Sequence, residues 1–119
     1  MITEFSVDIE EKHSIPTINV HGEIDIYTCG DLRKAFSKTT EKETASFILN
    51  LTHIQYIDST GLGTIAHAAQ EIQQKNGHVY VICTKPQINK IFEVSGLLTK
   101  NISLFENEEQ AIEKIGDQQ

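Results

Sequence analysis

With 119 residues, 39% of them hydrophobic and 23% charged, the chain has the length of one domain and enough apolar side chains to offset chain entropy, which excludes a disordered protein. Ten Lys and Arg against 17 Asp and Glu leave a formal charge of −7 with no basic cluster. Nucleic acid and anionic membranes are thereby excluded as partners, because both are held through a basic face that releases counterions. No stretch approaches the roughly 20 apolar residues of a membrane span, residues 1–10 lack the basic-then-apolar order of a signal peptide, and the two cysteines, Cys29 and Cys83, form no C-x-x-C pair. A cytoplasmic chain with reduced core thiols, no zinc site and no disulfide framework is expected.

Phe5, Val7 and Ile9 alternate with Glu4, Ser6, Asp8 and Glu10, the period-2 pattern of a half-exposed strand. Polar residues 11–14 make a turn, and Ile18, Val20 and Gly22 alternate again in a second strand, with Pro16 near its start where a missing N–H is tolerated. Thr28 followed three residues later by Asp31 suggests a capping box, and Leu32, Ala35 and Phe36 fall at helical spacing, so a first helix is expected over residues 28–38. The apolar run at residues 47–51 reads as a strand covered on both faces. A second helix begins near Ser59, with Leu62, Ile65, Ala66, Ala69 and Ile72 as its buried stripe and Asn76-Gly77 as its left-handed stop. Residues 79–83 form another buried strand. Pro86 opens a third helix with Ile88, Ile91 and Phe92 inside, and Gly96 closes it. Residues 102–105 give the last strand. Asn107 with Gln110 caps a final helix whose inner face is Ala111, Ile112 and Ile115, leaving residues 116–119 as a frayed tail.

The order β-β-α-β-α-β-α-β-α implies a single α/β domain over residues 1–119, with a mixed, mostly parallel sheet and an N-terminal antiparallel hairpin. Binding sites in such sheets lie at the carboxyl ends of strands. Two polar segments meet that description: Gly22-Glu23-Ile24-Asp25 and Ile57-Asp58-Ser59-Thr60-Gly61-Leu62-Gly63.

Several chemistries fail on their parts. Gly61-x-Gly63-x-x-Ala66 has the spacing of a dinucleotide fingerprint, but the next strand ends in Cys83-Thr84-Lys85 where an acid must hold the ribose. A hydrolase nucleophile elbow at Ser59 needs Gly where Ile57 stands. His13, His21, His53, His67 and His78 are scattered without metal-ligand spacing. A receiver domain phosphorylated at Asp58 needs an acidic pair after the first strand and a lysine after the last; Asp8 is mid-strand and Phe105-Glu106 ends the last one. There remains the Ser59 hydroxyl itself. Asp-Ser-Thr-Gly before a helix is most often only a cap. A phosphate placed there, however, receives orphan N–H groups and the positive end of the helix dipole, so the modified chain stays folded. Gly61 and Gly63 would let another protein's active site approach, and Asp25 and Asp58 would flank the hydroxyl with negative charge.

Gly22-Glu23-Ile24-Asp25-Ile26-Tyr27-Thr28 together with Tyr56-Ile57-Asp58-Ser59-Thr60-Gly61-Leu62-Gly63, and later Ile91-Phe92-Glu93-Val94-Ser95-Gly96-Leu97, resembles the bacterial anti-sigma factor antagonists of the STAS domain family over nearly the whole chain. The resemblance implies a STAS-like fold and a non-enzymatic partner switch. The unphosphorylated form binds an anti-sigma factor that is also a serine kinase, a sigma factor is released for transcription, and phosphorylation reverses the binding. By that likeness Ser59 is the phosphoacceptor, and Gly22, Glu23, Asp25, Asp58, Ser59, Thr60, Gly61, Leu62 and Gly63 form the partner surface. The kinase holds the ATP and a metal-dependent serine phosphatase removes the phosphate, so no cofactor and no metal of this chain's own is implied. Tyr27 and Thr60 favour the general-stress branch over the sporulation branch, while Cys29 and Gly30 replace the small residue and proline usual in relatives. A second reading is a STAS-type scaffold or sensor subunit of a larger stress complex, which self-assembles instead of binding a kinase.

Overall fold

Alternation at the start of the chain becomes an antiparallel hairpin in the computed structural model, which describes residues 4–12, 14–41, 46–99 and 101–117. Strand β1 (Ser6–Lys12) pairs with β2 (Ile15–Ile24) from Ser6 opposite His21 to Lys12 opposite Ile15. The turn holds Ser14 at φ 71°, in the left-handed region; His13, also expected in the turn, lies outside the described residues. Beyond the hairpin, helices and parallel strands alternate: α1 (Cys29–Thr40), β3 (Phe47–Ile57), α2 (Ser59–Gln73), β4 (Val79–Ile82), α3 (Pro86–Ser95), β5 (Ile102–Phe105) and α4 (Glu108–Asp117). Among the described residues the sheet has five strands in the order β1-β2-β3-β4-β5, antiparallel at the hairpin and parallel elsewhere.

Because each crossover steps to the next strand in the same direction, α1, α2 and α3 gather over one face. There Leu32, Phe36, Ile65, Ala69, Ile72, Ile88 and Phe92 close over Ile18, Val20, Ile24, Leu49, Leu51, Ile54 and Val81 in the main core. Phe5, just ahead of β1, and the inner residues Val7 and Ile9 of β1 reach this core only partly buried. Helix α4 lies on the opposite face, where Ala111 and Ile115 cover Ile48, Tyr80 and Ile82. Farther along β2 and β3 the same face is polar: the Asn19 amide donates to Glu10 Oε1 (2.7 Å), and His21 stacks on His53 with ring centroids 4.8 Å apart.

Local differences from the expected boundaries each have a cause. Strand β3 runs on past Leu51 to Ile57, because Ile54 and Ile57 still bury on the main-core face while β2 continues to pair with it through two register shifts. Helix α1 extends to Thr40 since the hydroxyls of Thr39 and Thr40 donate to the carbonyls of Ala35 and Ser37 inside the helix. Helix α4 includes Gly116 and Asp117, placed in the tail from sequence, because buried Ile115 anchors its last turn. In α2 the buried stripe is rotated: Gly61, Thr64, Ile65, Ala68, Ala69 and Ile72 are buried, whereas Leu62 and Ala66 are half-buried. The helix faces α1 as well as the sheet, and that second neighbour turns Thr64 and Ala68 inward beside Phe36. The stops behave as expected, with Asn76 at φ 60° and Gly96 at φ 78°, and Asn107 Oδ1 accepts the Gln110 N–H at 2.9 Å.

Candidate functional site

The carboxyl ends of β2 and β3 lie side by side, and the N–H of Asp58 donates to the carbonyl of Ile24 (3.1 Å), tying the β2–α1 loop to the start of α2. At that start Asp58 is the N-cap, with extended backbone and a carboxylate that accepts the Gly61 N–H at 2.9 Å. Ser59 is the next residue, the first of the helix, and it is exposed. The Asp58 cap serves Gly61, so the N–H groups of Ser59 and Thr60, which have no carbonyl one turn back, stay available to an acceptor near the Ser59 hydroxyl.

Gly61 and Gly63, one residue apart in spacing, do different things. A Cβ on Gly61 would stand 2.6 Å from Ile24 Cγ2 and 2.8 Å from Ile57 Cγ1, so this glycine exists to let α2 seat against the strand ends. It is buried, which corrects the expectation that it opens the surface to an approaching protein. Gly63 is exposed and a Cβ there meets nothing within 4 Å, so it alone of the pair leaves the outer face bare. Gly22 is likewise buried, at φ +93°, and the backbone just ahead of β1 would crowd any added Cβ (Phe5 Cα at 3.0 Å). It shapes the strand end from within.

The capping box expected for α1 is absent. Thr28 occupies the N-cap but makes no side-chain cap; its hydroxyl donates to the Glu23 carbonyl (2.7 Å) and accepts the Asp25 N–H (2.9 Å). Asp25 Oδ1 in turn accepts the N–H groups of Tyr27 (2.9 Å) and Thr28 (3.1 Å). Asp25 is therefore a loop-building residue whose negative charge is already engaged, as is that of Asp58. Glu23 is exposed on β2 opposite Tyr56, Leu62 is half-buried, and Thr60 lines a groove of about 300 Å³ between α1 and α2 with Gly63, Arg33 and Phe36.

What the sequence reading passed over is how openly three large side chains stand beside these residues: Ile26 is 66% exposed, Tyr27 91% and Tyr56 48%. The available signal was position, since Ile26 and Tyr27 fall after the strand has ended and before the helix begins, where no core face is in reach. Other chemistry-bearing groups lie elsewhere. Burial pushes the Cys83 thiol up and, helped by Lys114, holds the His78 imidazole below its usual range. Both cysteines are buried and free. Among the described residues no group of three or more His, Cys, Asp or Glu side chains is placed to hold a metal ion, and no helix is long and apolar enough to cross a membrane.

Residues 6–111 match the model of the STAS domain. An anti-sigma-B factor antagonist of Staphylococcus aureus is 30% identical over 80 residues, covering 67% of this chain and 74% of that protein. Two solved structures share the fold. An anti-sigma factor antagonist from Mycobacterium paratuberculosis superposes with a TM-score of 0.85 at 20% identity, over 96% of each chain. The Bacillus cell fate determinant SpoIIAA in its phosphorylated form superposes with a TM-score of 0.70 at 22% identity, over 92% of this chain and 99% of the other.

Proposed function

The chain belongs to the STAS domain family, and on that premise we propose that it is an anti-sigma factor antagonist whose binding is switched at Ser59. The unmodified protein binds an anti-sigma factor that doubles as a serine kinase, and so frees a sigma factor. Phosphate on Ser59 ends the binding, and a serine phosphatase restores it. The chain supplies no catalytic group, nucleotide or metal to this cycle, and it works in the cytoplasm.

The observation that carries the reading is the exposed hydroxyl at the first position of α2. A kinase reaches it without unfolding anything, and the helix start accepts the new charge through unengaged N–H groups and the dipole. The names of the curated relatives, anti-sigma-B factor antagonists, support the partner class, and the SpoIIAA structure in its phosphorylated form supports a phosphate-based switch.

The energetics suffice without a conformational change. A phosphate adds roughly −1.5 to −2 charges, and one mis-paired charge about 4 Å away at an effective dielectric of ~20 is worth up to ~4 kcal/mol before screening. A net loss of about 2 to 3 kcal/mol weakens binding roughly 30- to 150-fold. Titrating the anti-sigma factor with Ser59→Ala and Ser59→Asp variants tests this directly. Ser59→Ala is expected to bind like the unmodified chain and to accept no phosphate at that position, Ser59→Asp to bind at least about tenfold more weakly. Equal affinity of the two variants contradicts the reading.

A further inference from the structure

Of the five large hydrophobic side chains that stand most exposed among the described residues, Ile26, Tyr27 and Tyr56 belong to the site's edge, and Val94 and Leu98 to α3 and its exit. Ile26 and Tyr27 are consecutive, and the loop carrying them is not slack. The Asp25 carboxylate takes the N–H groups of Tyr27 and Thr28, the Asp25 carbonyl takes the Cys29 N–H (2.9 Å), and the Thr28 hydroxyl closes the loop onto the Glu23 carbonyl. The Cys29 thiol adds a contact to the Ile26 carbonyl (3.6 Å). A short segment fastened at this many points holds two apolar side chains in water, and the ordering entropy that usually opposes binding is already spent in folding.

We infer that Ile26 and Tyr27 form a rigid apolar prong that inserts into a nonpolar cleft with a basic rim on the anti-sigma factor, and that the prong is the anchor of the unmodified complex. The inference rests on the proposed function and names the part of that surface which supplies affinity. Two observations select this occupant. Exposed Glu23 precedes the prong and exposed Asp31 follows it, so the complementary cleft is flanked by cations. The prong is also continuous with the switch, because the Asp58 N–H to Ile24 carbonyl bond joins its loop to the residue before Ser59. Tyrosine is enriched among the few interface residues that dominate binding, since it brings a large apolar area with few rotatable bonds. Ser59 then acts as a veto on a contact made mainly by its neighbours.

The test uses the full chain and, as probe, the purified anti-sigma factor of the same organism, with association and dissociation rates measured separately. Tyr27→Ala and Ile26→Ser are expected to raise the dissociation constant about 10- to 30-fold each, through faster dissociation. Their thermal midpoints stay unchanged, because both side chains already face water. Glu23→Gln instead slows association and flattens its salt dependence. Val94→Ser, exposed and apolar but on α3, leaves affinity within about twofold. Full affinity in both prong variants, beside normal binding by the unaltered chain, overturns the prong and leaves the antagonist reading intact. Absence of binding by the unaltered chain overturns both. Dissociation of a homodimer by Tyr27→Ala, with anti-sigma binding retained, makes a second copy the occupant and overturns it as well.

Discussion

Gly61 and Gly63 carry opposite expectations although a sequence motif treats them alike. At Gly61 a methyl group would collide with Ile24 and Ile57 at 2.6 and 2.8 Å, and both strand ends are buried, so little can yield. Gly61→Ala is expected to destabilise the fold by about 1–3 kcal/mol, the usual range for an overpacked core. Gly63→Ala, with open space around it in the second turn of α2, is expected to stabilise by about 0.5–1 kcal/mol through the entropy that glycine otherwise loses in a helix. Urea denaturation of the two variants reads this directly, and changes of the same sign would contradict it. The sequence located the Ser59 position well because strand-end, cap and helix-start residues follow one another there in order. It could not separate a glycine that avoids a clash from one that bares a surface, since only the neighbours across space decide that. Asp25 makes the same point, because its carboxylate bonds to backbone N–H groups two and three residues on, a commitment invisible until the loop is folded.

At the scale of elements, helix and strand order was legible throughout, while the orientation of α2 and the length of β3 were not. Periodicity places an apolar stripe toward a single neighbour, and α2 has two. For β3 the polar stretch after Leu51 hid a strand that is half-exposed once β4 stops pairing with it at Asn50. The other end of the sheet supplies a pH test. The His78 ring packs against Tyr80 with centroids 4.5 Å apart and bonds to Ser103 Oγ at 2.8 Å. Burial, with Lys114 nearby, lowers its pKa in the folded state. The unfolded chain therefore binds this proton more readily, so the contribution of His78 to stability is complete above the unfolded value of about 6.5 and declines as pH falls below it. Comparing urea midpoints at pH 7.5 and pH 5.5, the unaltered chain is expected to lose more stability than His78→Gln; an equal loss would remove the role given to burial.

For the whole molecule, the fold class and strand direction followed from alternation and spacing, and the one-sided placement of α1, α2 and α3 follows from parallel crossovers that all step the same way. That arrangement gathers the ends of β2 and β3 and the start of α2 at one edge, clear of α4 on the other face. A net charge of −7 fits a partner with a basic surface, and adding a further two charges at an exposed helix start alters the surface field while the core beneath stays packed. On the proposed function, this edge offers the exposed Ser59 to a kinase. Incubating the chain with the anti-sigma factor and ATP, then locating the added phosphate by peptide mass spectrometry, tests it most directly. One phosphate on Ser59, lost in Ser59→Ala, is the expected result; phosphate at another residue, or undiminished phosphorylation of Ser59→Ala, contradicts it.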